Sequence, residues 1–459
     1  SGVSYYSIFF NIYFDSSMLT NILQTTITES SKLITPSYIL WVVVFGIIPA
    51  VLYFLVKISY NKWYKEITGR FIIIILSVLV VSAIGKGFYQ DYASFLRNNK
   101  SITHLLVPSN FIGASIKKIK KIYQENIPYS EQDLMASQSK FDSYRHVTVL
   151  IVGETTRAQN WGLNGYLRQT TPLLAQRGKQ IINFTDVSSC GTSTAYSVPC
   201  MFSTMDRKDY DEAKANLQDN LLDILQRAGV NIFWLDNDSG CKGVCDRVPN
   251  LDVTQLNLPE YCQNGECLDN ILLTKFDDIL NKSDNKDILI VLHTIGSHGP
   301  TYSERYSPEF RQFIPTCDIN EINKCTNEEL VNTYDNGILY IDQFIDKVIK
   351  KLETKNDWES TVLYMSDHGE SLGENGVYLH SAPYAIAPKE QTKIPMIMWF
   401  SEAFRRNEGI DFSCLDKNAK RKSYSHDNFF STVFGLMDMS LKSDTYKQEK
   451  DILAPCKNK

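Results

Sequence analysis

No cysteine occurs before residue 190 in this 459-residue chain. The gap divides the sequence, because all ten cysteines fall in the remainder and suit an oxidising compartment, where thiols pair. An excess of basic residues is missing too. Lys and Arg number 47 against 52 Asp and Glu, the net charge is −5, and no nucleic-acid motif occurs, so no nucleic-acid partner is expected. Internal repeats and low-complexity tracts are also absent, which excludes a repeat array.

Charge is wholly absent from Ile39 to Val56, an apolar run long enough to span a membrane. Phe71 to Ile84 is a second, shorter run, which reaches full length if Lys86 snorkels to the interface. Between them Lys57, Lys62, Lys65 and Arg70 make a short basic loop, which the positive-inside rule places in the cytoplasm. The pair is therefore expected as a hairpin, with spans near 37–58 and 70–88 and everything after about residue 88 outside the cytoplasm. The chain begins at Ser1 in an aromatic-rich stretch and is read as the C-terminal part of a longer protein, starting with the end of one span. Residues 15–36 are expected to form a short amphipathic helix on the external side. In it Asn21, Thr25 and Glu29 follow at i, i+4 and i+8, which places three hydrogen-bonding groups on one helical face. Residues 89–130 read as bridging helices and linker, including the basic stripe Ser115–Lys121, and residues 131–459 as the external catalytic domain.

The cysteines sit in near pairs: Cys190/Cys200, Cys241/Cys245, Cys262/Cys267 and Cys317/Cys325, with Cys414 and Cys456 left over. Connectivity does not follow from spacing, although near neighbours are the natural partners. A zinc cluster of Cys241, Cys245, Cys262 and Cys267 is the rival reading, and oxidation competes with it.

From His146 onward, short β-branched runs (146–154, 231–237, 288–294, 360–370) alternate with charged helical segments. That texture predicts an α/β fold with a mostly parallel sheet and helices on both faces, and such sheets place their sites at the carboxyl ends of strands. Those ends carry Glu154, His293, His298, Asp367 and His368, and His380 follows twelve residues on. Carboxylates and imidazoles converging on one face suit Zn²⁺. The run from Ser188 to Cys200 adds six serines and threonines. A hydroxyl there, held beside the metal at a helix start near Thr194, would be a nucleophile suited to a phosphate. Thr192 and Ser193 are its alternatives.

Four segments carry a resemblance: "GETTRAQNWGLNGY" (153–166), "CGTSTAYSVPCMFS" (190–203), "HTIGSHGP" (293–300) and "SDHGESLGENGVYLH" (366–380). Together with the hairpin they resemble the lipid A phosphoethanolamine transferases, the colistin-resistance family within the alkaline phosphatase superfamily. The resemblance implies an alkaline phosphatase/sulfatase-like catalytic fold with Thr194 as nucleophile. Glu154, Thr194, Asp367 and His368 would hold one tight zinc, and His298 and His380 the phosphate or a second, weaker zinc. Ser239 and Lys242 would lie near the phosphoethanolamine group, with Asn21, Thr25 and Glu29 on the donor headgroup. It implies a phosphatidylethanolamine donor, a lipid A or lipooligosaccharide acceptor, and a monomeric multi-pass protein of the inner membrane whose catalytic domain is periplasmic. Cysteines flanking Lys242 are a departure, since not every relative carries that bridge.

Two other functions compete. A phosphoglycerol transferase shares threonine, zinc and anchor, but lacks the caged hydroxyl run and the later cysteines. A catalytically dead lipid-binding module would carry no adduct on Thr194. A sulfatase would need a C/S-x-P-x-R motif, and none follows.

Overall fold

The computed structural model describes residues 1–57, 59–88, 110–116, 128–138, 144–282, 287–439 and 443–457. Most of the expected bridging segment 89–130, including Lys117–Lys121 of the basic stripe, lies outside these residues.

Eight strands form the central sheet: β1 (His146–Gly153), β2 (Ile181–Ser188), β3 (Asn231–Asp236), β4 (Asn250–Asp252), β5 (Ile288–His293), β6 (Glu359–Ser366), β7 (Lys393–Phe400) and β8 (Tyr424–Ser425). Their spatial order is β8-β2-β7-β6-β1-β5-β3-β4. Only β7 runs against its neighbours; the other pairings are parallel. The four runs expected from sequence lie side by side as β6-β1-β5-β3, wholly or largely buried because helices cover both faces. Alternation along β1 separates the two layers. Val147, Val149 and Ile151 point into one core with the long helix Asn327–Glu353. Leu150 and Val152 point into the other, with helices Leu221–Arg227 and Phe429–Leu436.

Among the described residues, two helices are long and apolar enough to cross a membrane, Pro36–Leu55 and Trp63–Gly87, and neither is buried within the protein. Residues 15–36 depart from the expected single helix. Helix Ser16–Gln24 ends before Thr25, and Thr26 starts a second helix, Ile27–Leu33, by accepting the backbone N–H of Glu29 at 3.2 Å. Threonine favours an N-cap over a helix interior, so the polar run breaks the rod.

The ten cysteines form five disulfides: Cys190–Cys200, Cys241–Cys245, Cys262–Cys267, Cys317–Cys325 and Cys414–Cys456. The four-cysteine zinc cluster is thereby replaced by two local bridges, and the leftover pair closes the longest loop. Native protein should accordingly show no thiol towards a maleimide reagent, and ten after reduction in denaturant. A free thiol before reduction would contradict this pairing.

Candidate active site

Strand ends deliver the acidic groups. β1 leads into Glu154 and β6 into Asp367 and His368, and all three side chains are fully buried. One potential ligand atom from each lies within 4.8 Å of the others. Helix Thr194–Met201 starts at Thr194 with Ser193 as N-cap, as the sequence led us to expect. That places the Thr194 hydroxyl 3.1 Å from each Glu154 oxygen and 3.5 Å from His368 Nε2. The Cys190–Cys200 bridge ties the loop before the helix to the helix itself.

Electrostatics here call for a cation. Burial first, and Asp367 second, push the Glu154 carboxyl well above its usual range. Burial likewise pushes Asp367 up to about 7. Burial also holds the His368 imidazole far below its ordinary value. His368 Nδ1 is 2.8 Å from the Gly369 carbonyl, which can only accept, so Nε2 keeps its lone pair. Nε2 faces Glu154 Oε1 at 3.4 Å and Asp367 Oδ2 at 3.3 Å. Asp367 Oδ2 makes no hydrogen bond among the described residues. Two buried carboxylates with a bare imidazole nitrogen between them are costly without a positive partner, and they fit a Zn²⁺ ion.

His298 and His380 flank this centre, with ring centroids 5.4 Å apart, and His380 lies 4.6 Å from His368. Burial pulls the His380 imidazole down, but Glu370, bonded to Nδ1 at 2.8 Å, outweighs it and the net shift is upward. Both histidines open onto an apolar cavity of about 240 Å³ between the membrane-side helices and the catalytic unit, lined also by Tyr6, Phe14, Met18 and Tyr38. Asn21, Thr25 and Glu29 line the same cavity despite the broken helix. Glu29 Oε1 is 3.3 Å from His298 Nε2, and Asn21 Nδ2 is 3.4 Å from Ser381 Oγ. Thr25 spends its hydroxyl on the Asn21 carbonyl, at 2.9 Å. Lys242 and Ser239 lie to the other side. The ammonium donates to the Ser239 carbonyl at 2.9 Å and hydroxyl at 2.6 Å, and Cys241–Cys245 holds its turn.

The family described as "Phosphoethanolamine transferase EptA/EptB" matches residues 1–123, and that described as "Sulfatase" matches residues 146–439. Phosphoethanolamine transferase EptA of Escherichia coli K12 is 45% identical, covering 100% of this chain and 84% of its own. Phosphatidylethanolamine transferase Mcr-1 of Escherichia coli is 40% identical over 95% of this chain and 81% of its own. The solved integral membrane lipooligosaccharide phosphoethanolamine transferase A of Neisseria meningitidis superposes with TM-score 0.97 at 65% identity, over 100% of this chain and 85% of that one. The chain belongs to the phosphoethanolamine transferase family.

Several residues of the transferase's site escaped sequence reasoning. Asp238 joins Glu154 and His293 in a second group with ligand atoms within 4.8 Å. His293 stood out at its strand end but received no role; its Nδ1 is 2.9 Å from Asp236 Oδ2, which also accepts from Trp234 Nε1 at 2.7 Å. Glu370, which orients His380 through Nδ1 at 2.8 Å, received no role from the sequence. His426 is a brace. Its Nδ1 accepts from Cys190 N and its Nε2 donates to Ser366 O, both at 2.9 Å, and burial lowers its pKa to about 4, so it stays neutral. The loop 293–300 reaches the centre because Gly296, at φ +50°, passes so close that a Cβ would lie 2.4 Å from the Glu154 carbonyl.

Proposed function

We propose that this transferase moves phosphoethanolamine from phosphatidylethanolamine to lipid A or lipooligosaccharide through a covalent intermediate on Thr194. The observation that carries this is the Thr194 hydroxyl, 3.1 Å from both oxygens of a buried carboxylate and beside a bare imidazole nitrogen, in a centre whose neighbour His380 opens onto an apolar cavity. Glu154, Thr194, Asp367 and His368 would hold one tight zinc, which supplies a Lewis acid for the phosphoryl oxygens and favours the threonine alkoxide. A second, weaker zinc or the phosphate itself would fall to His298 and His380.

The chain's own groups then perform a double displacement. Thr194 Oγ1 attacks phosphorus and the bond to the diacylglycerol oxygen breaks. His380, whose proton is retained by Glu370, donates to that leaving oxygen. In the second half an acceptor oxygen attacks phosphorus, its proton passes to His380, and the bond to Thr194 Oγ1 breaks to release the alkoxide, so both groups return to their starting states. Asn21, Thr25 and Glu29 hold the headgroup, Glu29 pairing with the ammonium and Ser239 and Lys242 approaching the phosphate. The carboxylate of Glu29 favours an amine-bearing headgroup over glycerol phosphate. Spans, basic loop and disulfides support an inner-membrane protein with a periplasmic catalytic domain, acting as a monomer. Intact mass measured after mixing with phosphatidylethanolamine, without acceptor, tests the reading: one phosphoethanolamine should appear, and peptide mapping should place it on Thr194.

Glu29→Ala should lower transfer from phosphatidylethanolamine at least tenfold, while hydrolysis of a small soluble phosphodiester stays within about twofold, since Thr194 and the metal ligands remain. Parallel assays decide this, and equal loss in both would dismiss the headgroup clamp.

A further inference from the structure

We propose that the disulfide-closed loop from Arg311 to Cys325 dips into the external leaflet and holds the catalytic unit against the lipid surface. This rests on the reading of Pro36–Leu55 as a span, and adds a membrane contact made by the catalytic unit itself.

The loop is fixed where it meets the catalytic unit. Asn336, on helix Asn327–Glu353, accepts the backbone N–H groups of Gln312 at 3.0 Å and Phe313 at 2.9 Å, and donates to the Phe313 carbonyl at 2.9 Å. Asn332 donates to the Pro315 carbonyl at 2.8 Å, and Thr333 accepts from Cys317 N at 2.7 Å. The Cys317–Cys325 bridge closes the loop, and Cys317 and Ile322 are buried. Ile314 and Ile319 stand out instead, 68% and 48% exposed.

Single exposed isoleucines are ordinary on a surface bathed in water. Position sets these two apart. Lys324 Nζ donates to Ser37 Oγ at 3.0 Å, and Asn320 Nδ2 to the Lys32 carbonyl at 3.2 Å. Ser37 is the second residue of the 20-residue span, whose rise of about 30 Å equals the thickness of a hydrocarbon core. Ser37 therefore marks the external boundary of that core, and the headgroup layer above it is only about 5–8 Å deep. Ile319 adjoins Asn320, which places the tip of the loop within this layer. Ile34 lies in the chain between Lys32 and Ser37 and is exposed as well, extending the apolar rim from span to loop.

Charge does not oppose insertion. Arg311 pairs with Asp318 at 2.5 Å and Lys324 with Glu321 at 2.7 Å, so the isoleucines carry no lone charge towards the hydrocarbon. A protein partner would have to occupy the layer that lipid fills beside a span with no buried face. Leu33 and Tyr38, which flank the segment the loop grips, wall the apolar cavity. Anchoring the loop thus keeps that cavity level with the leaflet from which a lipid donor enters.

Photo-crosslinking of the full chain tests this in nanodiscs of phosphatidylethanolamine and phosphatidylglycerol. p-Benzoylphenylalanine is placed at one position at a time, and intact mass is measured after irradiation. Ile314 and Ile319 should each gain one lipid, as should Val51 within the span. Met135 should not. It is 88% exposed, in a segment whose Gln138 bonds Asp287 just before β5, at the sheet edge away from the catalytic centre. Ile314→Asp combined with Ile319→Asp should lower transfer from bilayer phosphatidylethanolamine at least fivefold. Hydrolysis of a small soluble phosphodiester should stay within about twofold, because both positions are exposed and lie outside the catalytic centre. Lipid adducts no more frequent at Ile314 and Ile319 than at Met135, with Val51 labelled, would overturn the loop and keep the span. No adduct at Val51 would sink the span and the loop together. Unchanged bilayer transfer in the double variant would show that the loop does not hold the catalytic unit to the lipid.

Discussion

Thr194→Ala should abolish phosphoethanolamine transfer, by on the order of a thousandfold or more, as loss of a nucleophile does elsewhere. The variant should fold. The lost hydroxyl is a buried group donating to Glu154, and a single such hydrogen bond contributes about 1 kcal/mol net. Thr194→Ser keeps the oxygen and should retain measurable transfer, which an alanine cannot. The structure also sorts the neighbouring hydroxyls. Thr192 donates to the Ala382 carbonyl at 2.6 Å and is committed there, so Thr192→Ala should weaken the loop more than the chemistry. Ser193 caps the helix without a side-chain bond, and its alanine variant should keep most activity. Transfer measured with labelled phosphatidylethanolamine decides the matter; an alanine variant retaining a tenth of wild-type activity would move the nucleophile away from Thr194.

Much of this site could be read from the chain because its residues lie where one-dimensional signals are strongest. Glu154, Asp367 and His368 each follow a continuous β-branched run, and a parallel sheet sends such run ends to a common edge. A helix start near Thr194 entered only as a condition on its role as nucleophile, and the helix does begin there, with Ser193 as N-cap. Strand β7 was not assigned. "KIPMIMWF" is antiparallel and carries a proline, two features that blur the pattern of a buried parallel strand. Strand β2 escaped too, its alternation broken by an exposed Thr185 and a half-buried Asp186. The partnership of Cys414 and Cys456 bridges 42 residues, and no local rule reports a contact set by tertiary packing. Asp238 and Glu370 share that fate, since each owes its role to what stands opposite it. The break at Thr26 was legible in principle, as a threonine three residues before Glu29 is a helix-start signal. The i, i+4, i+8 spacing masked it, and the three side chains line one cavity all the same.

Removing the metal should cost stability as well as activity, and the loss should depend on pH in a definite direction. Asp367 is raised to about 7 and Glu154 well above the carboxylate range, both chiefly by burial, in the protein without a cation. A carboxyl raised in the folded state binds its proton more tightly than in the unfolded chain. Its contribution is therefore fully present below the unfolded value near 4, and is lost as pH rises through about 7. Chelator-stripped protein should accordingly have a higher Tm at pH 5 than at pH 7.5, and adding Zn²⁺ should raise the Tm at pH 7.5 far more than at pH 5, because the ion binds the ionised form. Asp367→Asn removes one charge and one ligand. It should lose zinc, counted by elemental analysis, and lower transfer on the order of a hundredfold or more, while its metal-free Tm becomes less sensitive to pH. His368→Ala should lose zinc as well but keep the carboxylate pair, so its pH sensitivity should remain. A full complement of zinc in both variants would show that these residues do not hold the metal, and a metal-free Tm with the same pH dependence in wild type and Asp367→Asn would show that Asp367 does not carry that dependence.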